Sequence, residues 1–320
     1  MGNSSHLPQL KALNRKAGAA CHALFLQRNP KVKKQFTIVA AAFCAFAVGQ
    51  VQLLAQPVPV ASFAVPAQGA AYADIADLVV VSPLILDAQI RKVTKLPETQ
   101  AVGVPANIQR VVIDADVNSL IRGTDGFAAR ARFVLDLPKD AKGKIPKLQK
   151  RRYFLLGSSV AGNPGMLKLA RPDALVEWSP ENDASLRAIT KEAVQSDAAQ
   201  AISGVSGAFH TQGTVLGEGE TQIFLRTAGG QPISISVLSR PGQSKRWAVS
   251  TGDVIDESAV APARNTLLWY RLACSLPRTL EPRLVESGEP RDIANAQADY
   301  RFVLDSLGPC GRSRAPLRPR

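Results

Sequence analysis

Between Arg110 and Ile121 apolar and polar side chains take turns. Val111, Ile113, Ala115, Val117 and Ile121 share one face, and Arg110, Asp114, Asp116 and Asn118 share the other. A period of two is the mark of a half-buried strand. The pattern returns over Phe127–Leu135, with Phe127, Ala129, Ala131, Phe133 and Leu135 inward and Arg130 and Arg132 outward. Gly123-Thr124-Asp125-Gly126 between them is a turn signal, so the two runs predict a hairpin. With Ile121 opposite Phe127, Asp116 faces Arg132 and Asn118 faces Arg130, a cross-strand pairing of charge that accounts for both aspartates without chemistry. Upstream, Leu78–Val81 and Leu84–Leu86 are continuous apolar runs read as strands, and downstream Arg152–Leu156 is another. Short antiparallel strands this close together predict a small barrel or sandwich over 74–180, OB-like by analogy.

Gly, Pro and Asn then crowd 157–182, a loop-rich stretch. Helical spacing follows over Asp183–Gln200, where Leu186, Ile189, Ala193 and Val194 fall on one stripe. Strand alternation resumes at Ile223 and Leu225, at Ile233, Ile235 and Val237, and at Arg246–Ser250. Gly229-Gly230 and Arg240-Pro241-Gly242-Gln243 turn the chain between them, which predicts a three-stranded meander. Pro290–Leu307 reads as a helix opened by its proline and stopped by Gly308-Pro309. The fold class is α+β and strand-dominated, with a second domain over 181–310 and a disordered Arg-rich tail over 311–320. Three segments, Gly217–Leu225, Arg246–Ser250 and Leu267–Cys274, resemble an uncharacterised family of exported Gram-negative bacterial proteins over about 204–310. The resemblance implies export and assigns no activity.

Charge placement changes the picture at the N-terminus. The net charge of +13 suggests a nucleic-acid partner until it is located. Residues 1–35 hold seven basic side chains and 311–320 hold four, with no acid in either stretch. The other 28 basic residues nearly balance the 26 acidic ones. Behind the basic start, Phe36–Gly49 is uncharged, the length of a signal-peptide core, and continuation to about residue 55 reaches the length of a membrane span. An Ala/Pro-rich linker over 56–73 contains two small-x-small sites, ending at Ala64 and Ala73. These features predict export to the periplasm, with the segment cleaved or kept as an inner-membrane anchor and the basic side in the cytoplasm. Cys21 and Cys44 lie in that region, leaving Cys274 and Cys310 as a predicted disulfide of the exported part.

Candidate chemistry is sparse. Gly157-Ser158-Ser159-Val160-Ala161 approximates a nucleophile elbow, yet Gly162-Asn163-Pro164-Gly165 follows where the elbow needs a helix. His210 is the one histidine beyond the targeting region, so a serine hydrolase would use Ser159 and His210 with an aspartate between them in sequence. A Gly/Ser turn is the simpler reading. One histidine and no CxxC point to no metal, and Gly217-Glu218-Gly219-Glu220 lacks the rest of a dinucleotide motif; no cofactor is indicated. The dense charge feature of the folded part is Lys139–Arg152, with Lys142, Lys144, Lys147, Lys150, Arg151 and Arg152 against Asp140 alone. A cationic loop of this kind attracts anionic headgroups or a polyanion. The sequence therefore favours a non-enzymatic binding module of the cell envelope, with a membrane, envelope or protein partner rather than nucleic acid, and a periplasmic serine hydrolase as the alternative.

Overall fold

Strand β1 (Leu84–Lys95) opens with five buried residues in succession, Leu84 to Ala88. Such a run is what a strand needs when both of its faces are covered. In the computed structural model, which describes residues 70–172, 174–252 and 259–314, both faces are. Leu84, Leu86, Ala88 and Ile90 point into the interior of one sheet, whereas Ile85 joins a larger core outside it. Strand β4 (Arg152–Ser159) divides in the same way, Tyr153 and Leu155 inward, Phe154 and Leu156 outward.

These two strands are the middle of a six-stranded antiparallel sheet. The order is β3 (Arg130–Pro138), β2 (Ile108–Arg122), β1, β4, β5 (Leu167–Leu169), with β6 (Leu175–Glu177) also pairing with β4. Its ends nearly meet, because the Arg132 amide donates to the Gly165 carbonyl at 2.7 Å and Arg132 bridges to Met166. The result is a barrel-like sheet filled by Phe133, Tyr153, Leu155 and their neighbours.

The second sheet has four antiparallel strands in the order β10 (Arg246–Ser250), β9 (Ile233–Ser239), β8 (Gly219–Thr227), β7 (Ile202–Gln212). Its inner face, with Ile223, Leu225, Ile235 and Val237, meets helices α1 (Tyr72–Val81), α2 (Pro180–Ala193), α3 (Leu267–Ser275) and α4 (Pro290–Leu307) in the larger core. That core draws residues from both sides of position 180, and β1 and β4 tie it to the barrel.

The α+β class, the barrel-like sheet and the C-terminal helix match the sequence expectations; four local readings are corrected. Leu78–Val81 belongs to helix α1, because a short apolar run buried all round has no period to tell helix from strand. The hairpin register differs by two residues, since Asp114 faces Arg132 and Asp116 faces Arg130, and Phe127 lies outside β3. The turn residues alone do not encode this alignment, and on its other edge β2 pairs with β1 through three register shifts. Helix α2 begins at Pro180 under a Ser179 cap rather than at Asp183, and it ends at Ala193. The meander gains a fourth strand, β7, whose alternation is broken at Gly204 and Gly207 where its pairing shifts register.

Residues 311–314, expected in a disordered tail, are held against α1. The Arg312 guanidinium bonds both oxygens of Asp77 at 2.6 and 2.9 Å, and the amides of Ser313 and Arg314 donate to Asp74 at 3.1 and 3.0 Å. The basic start, the apolar segment and most of the linker lie outside the described residues. No helix among the described residues is long and apolar enough to cross a membrane.

Candidate functional site

His210 and Thr221 are direct cross-strand partners on β7 and β8, so their side chains share the face that α4 covers. Helix α4 contributes a stripe at intervals of four, Arg291, Asn295 and Asp299. Where stripe and sheet meet, five polar side chains form a chain. Lys245, just ahead of β10, pairs with Asp299 Oδ1. Thr221 Oγ1 lies 2.5 Å from Asp299 Oδ2 and 2.8 Å from His210 Nδ1, and His210 Nε2 lies 3.2 Å from the Asn295 amide. Asp299 is only 3% exposed and Thr221 is fully buried. A buried carboxylate needs both a counter-charge and hydrogen bonds, and Lys245 and Thr221 supply them. Lys245, Asp299, His210 and Asn295 of this chain line a cleft of about 330 Å³ that Gln212, Glu218, Gly219 and Arg291 help to close, with Thr221 buried behind them. Gly219 is required there: a Cβ on it would stand 2.9 Å from the His210 ring.

The structure separates the residues of the proposed triad. Ser159 is exposed at the end of β4, paired with Leu167 in a tight hairpin to β5, and no helix follows it. His210 stands in the other sheet with both ring nitrogens engaged by Thr221 and Asn295. Asp114 and Asp116 lie on the barrel surface against Arg132 and Arg130. Glu220 accepts from Gln222 at 2.5 Å, while Glu218 reaches the His210 cleft. Among the described residues, no group of three or more His, Cys, Asp or Glu side chains is placed to hold a metal ion.

The basic loop divides into two kinds of residue. Arg151 is held by Glu177 and lies over the Tyr153 ring. Arg152 pairs with buried Asp87 and covers Trp178 at 4.2 Å. Hydrogen bonds to their carboxylates raise both guanidinium pKa values further. These two arginines fasten the strand. Lys142, Lys144, Lys147 and Lys150 are exposed, and none has an acidic partner among the described residues. The loop's one acid, Asp140, caps the amides of Lys142 and Lys144, both at 2.8 Å, and so shapes the loop. Two main-chain bonds between Ile90 and Lys150–Arg151 lay the loop along β1. There Lys95, Lys147 and Lys150 rim a hollow floored by Val93, Ile145, Pro146 and Leu148.

Cys274 and Cys310 form the predicted disulfide, which joins the end of α3 to the segment after α4. Sequence reasoning singled out His210 and the basic loop, set Glu218 aside with the incomplete dinucleotide motif, and missed Thr221, Lys245, Asn295 and Asp299. One signal was legible: Asp299 interrupts the buried stripe Ala296, Tyr300, Val303 and Leu307. No protein-family model matches the chain, and no curated protein is similar to it.

Proposed function

We propose that this chain is an exported cell-envelope protein that binds an anionic surface through its β3–β4 loop. The observation that carries the reading is the division within the loop. Its arginines are consumed by internal ion pairs, whereas Lys142, Lys144, Lys147 and Lys150 are left exposed beside a small apolar hollow. Basic side chains next to an apolar depression suit the phosphate headgroups of a membrane, each lysine adding about 1 kcal/mol near an anionic leaflet. Export is supported by the acid-free basic start, the apolar segment behind it and the disulfide of the folded part. The small-x-small site ending at Ala73 lies inside α1, where Ala73 is 1% exposed. That placement favours processing, where it occurs, ahead of α1.

The test is co-sedimentation with lipid vesicles, using a chain that starts at Ala70 so that the apolar segment contributes nothing. Binding to vesicles rich in anionic phospholipid, absent with neutral vesicles, is the expected result. Lys144→Glu with Lys147→Glu should weaken it by about tenfold or more, on the lysine contribution above. Equal binding by the variant would remove the loop from the function.

A further inference from the structure

Among the described residues, two side chains other than glycine sit on left-handed backbone, Asn265 and Lys150. Asparagine tolerates that conformation because its short amide can bond the local main chain; lysine has no such compensation. Bonds to β1 hold Lys150 there. Its amide donates to the Ile90 carbonyl at 2.7 Å, and its carbonyl accepts from the Gln89 side chain at 3.1 Å. The Ile90 amide donates in turn to the Arg151 carbonyl at 2.9 Å. Two residues of the loop thus oppose one residue of β1, which makes a β-bulge. The first position of such a bulge takes the left-handed conformation that glycine fills at least cost. Here it is filled by a lysine at φ 67°. Strain of this kind is characteristic of sites where the side chain is used.

The side chain so placed joins Lys95, the last residue of β1, and Lys147 at the rim of the apolar hollow, whose volume is about 410 Å³. All three lysines are exposed, and no acidic side chain lines the hollow. None of the three ammonium groups has a hydrogen-bond or ion-pair partner among the described residues. The acids of the surrounding strands and loop are engaged elsewhere, Asp140 on loop amides, Glu177 on Arg151, and Asp116 beside Arg91 and Arg130. Beneath the rim, Leu148 is 1% exposed and continues into the barrel core. A ligand that suits this lining brings more than one negative charge together with hydrocarbon. A phosphodiester headgroup carries a single charge. A phosphomonoester carries about −1.5 to −2 at neutral pH and has three terminal oxygens, one for each lysine. We infer that the hollow is a site for a lipid with a phosphomonoester headgroup, its first methylenes over the apolar floor, and that Lys150 sets this preference. The inference rests on the proposed membrane role of the loop and narrows it to one class of lipid.

The test uses the full-length chain and reads each lysine separately, by its rate of acetylation in mass spectrometry, so that the way the N-terminus is held does not enter. Vesicles containing phosphatidic acid, a monoester, are compared at matched surface charge with vesicles containing phosphatidylglycerol, a diester. Lys95, Lys147 and Lys150 should be protected about fivefold more on the first, while exposed Lys168 on β5 is labelled equally on both. Lys150→Gly relieves the left-handed backbone. Its thermal midpoint should equal or exceed the parent's, while the extra protection of Lys95 and Lys147 is lost. Glycerol phosphate in solution, the same headgroup without chains, should protect none of the three. Equal protection on both kinds of vesicle would overturn the inference and leave general anionic binding by the loop standing; protection on neither would remove both. Undiminished protection in the Lys150→Gly variant would make the bulge merely structural and overturn the role of Lys150. Protection by glycerol phosphate would overturn the assignment to a lipid.

Discussion

Asp87 shows how a single buried group ties the barrel to its surroundings. It sits on β1 at 1% exposure, accepting from Arg152 at 2.7 Å and from Asn118 at 3.2 Å. Burial by itself would raise its carboxyl; the bonds from Arg152 and Asn118, with the charge of Arg152, outweigh that and hold it below its ordinary value. A depressed carboxyl adds stability that is complete above the unfolded value, about 4, and that fades as pH falls through the lower folded value. Asp87→Asn should therefore cost about 1–3 kcal/mol at neutral pH, the lower part of that range because Arg152 is partly exposed and can turn to water. The difference between variant and parent in urea unfolding should shrink as pH falls below about 4. A gap that stays constant with pH would show that the charge of Asp87 is not what matters. In the sequence Asp87 is one acid inside the apolar run 84–90. Its partners come from positions 118 and 152, so its role was not legible there.

Helix α1 is the element most at odds with its sequence pattern. Residues 73–79 are all buried, which erases the amphipathic stripe that identifies a helix. What holds it is tertiary. Tyr72 meets Trp269 edge-on at 6.1 Å, the Tyr270 hydroxyl donates to Asp77 at 2.5 Å, and Arg312 closes on the same carboxylate. Burial, with Asp77 beside it, pushes the Tyr270 hydroxyl well above its ordinary value, so it remains a donor throughout the physiological range. The first turn depends on Ala71, whose carbonyl accepts from Asp74 and Ile75. A chain starting at Asp74 loses those bonds and the Tyr72 contact, a cost of about 2 kcal/mol. Its thermal midpoint should drop by roughly 4–8 °C relative to a chain starting at Ala70. Equal midpoints would mean that the helix start is dispensable and would reopen Ala73 as a processing site.

At the scale of the whole molecule, the disulfide and the tail act together. Cys310 stands two residues before Arg312, so the bond to Cys274 in α3 delivers the tail to α1. Asp77 and Arg312, 235 residues apart in the sequence, are thereby fastened together. Oxidised, denatured protein should show no titratable thiols beyond Cys21 and Cys44, and replacing the pair should lower stability by about 3–4 kcal/mol. Two additional thiols in that titration would remove the bridge. The pairing was readable because the four cysteines divide by position, two in the basic and apolar N-terminal stretch and two in the folded part. The tail contact was not, since basic residues near a terminus look the same whether solvated or docked.

The sequence by itself determined the strand-dominated α+β class, the hairpin of β2 and β3, the C-terminal helix and the cysteine pair. Each of these rests on local periodicity, turn chemistry or simple counting. It also isolated the basic loop, because charge density is a property of contiguous residues. Only the tertiary structure decided the register of β2 on β3, the helical state of residues 72–81 and the division of the loop into fastened arginines and free lysines. It alone assembled the cleft, whose groups come from positions 210, 221, 245, 295 and 299. Burial and hydrogen bonding act between residues distant in the chain, and their partners appear only once strands pair and helices pack.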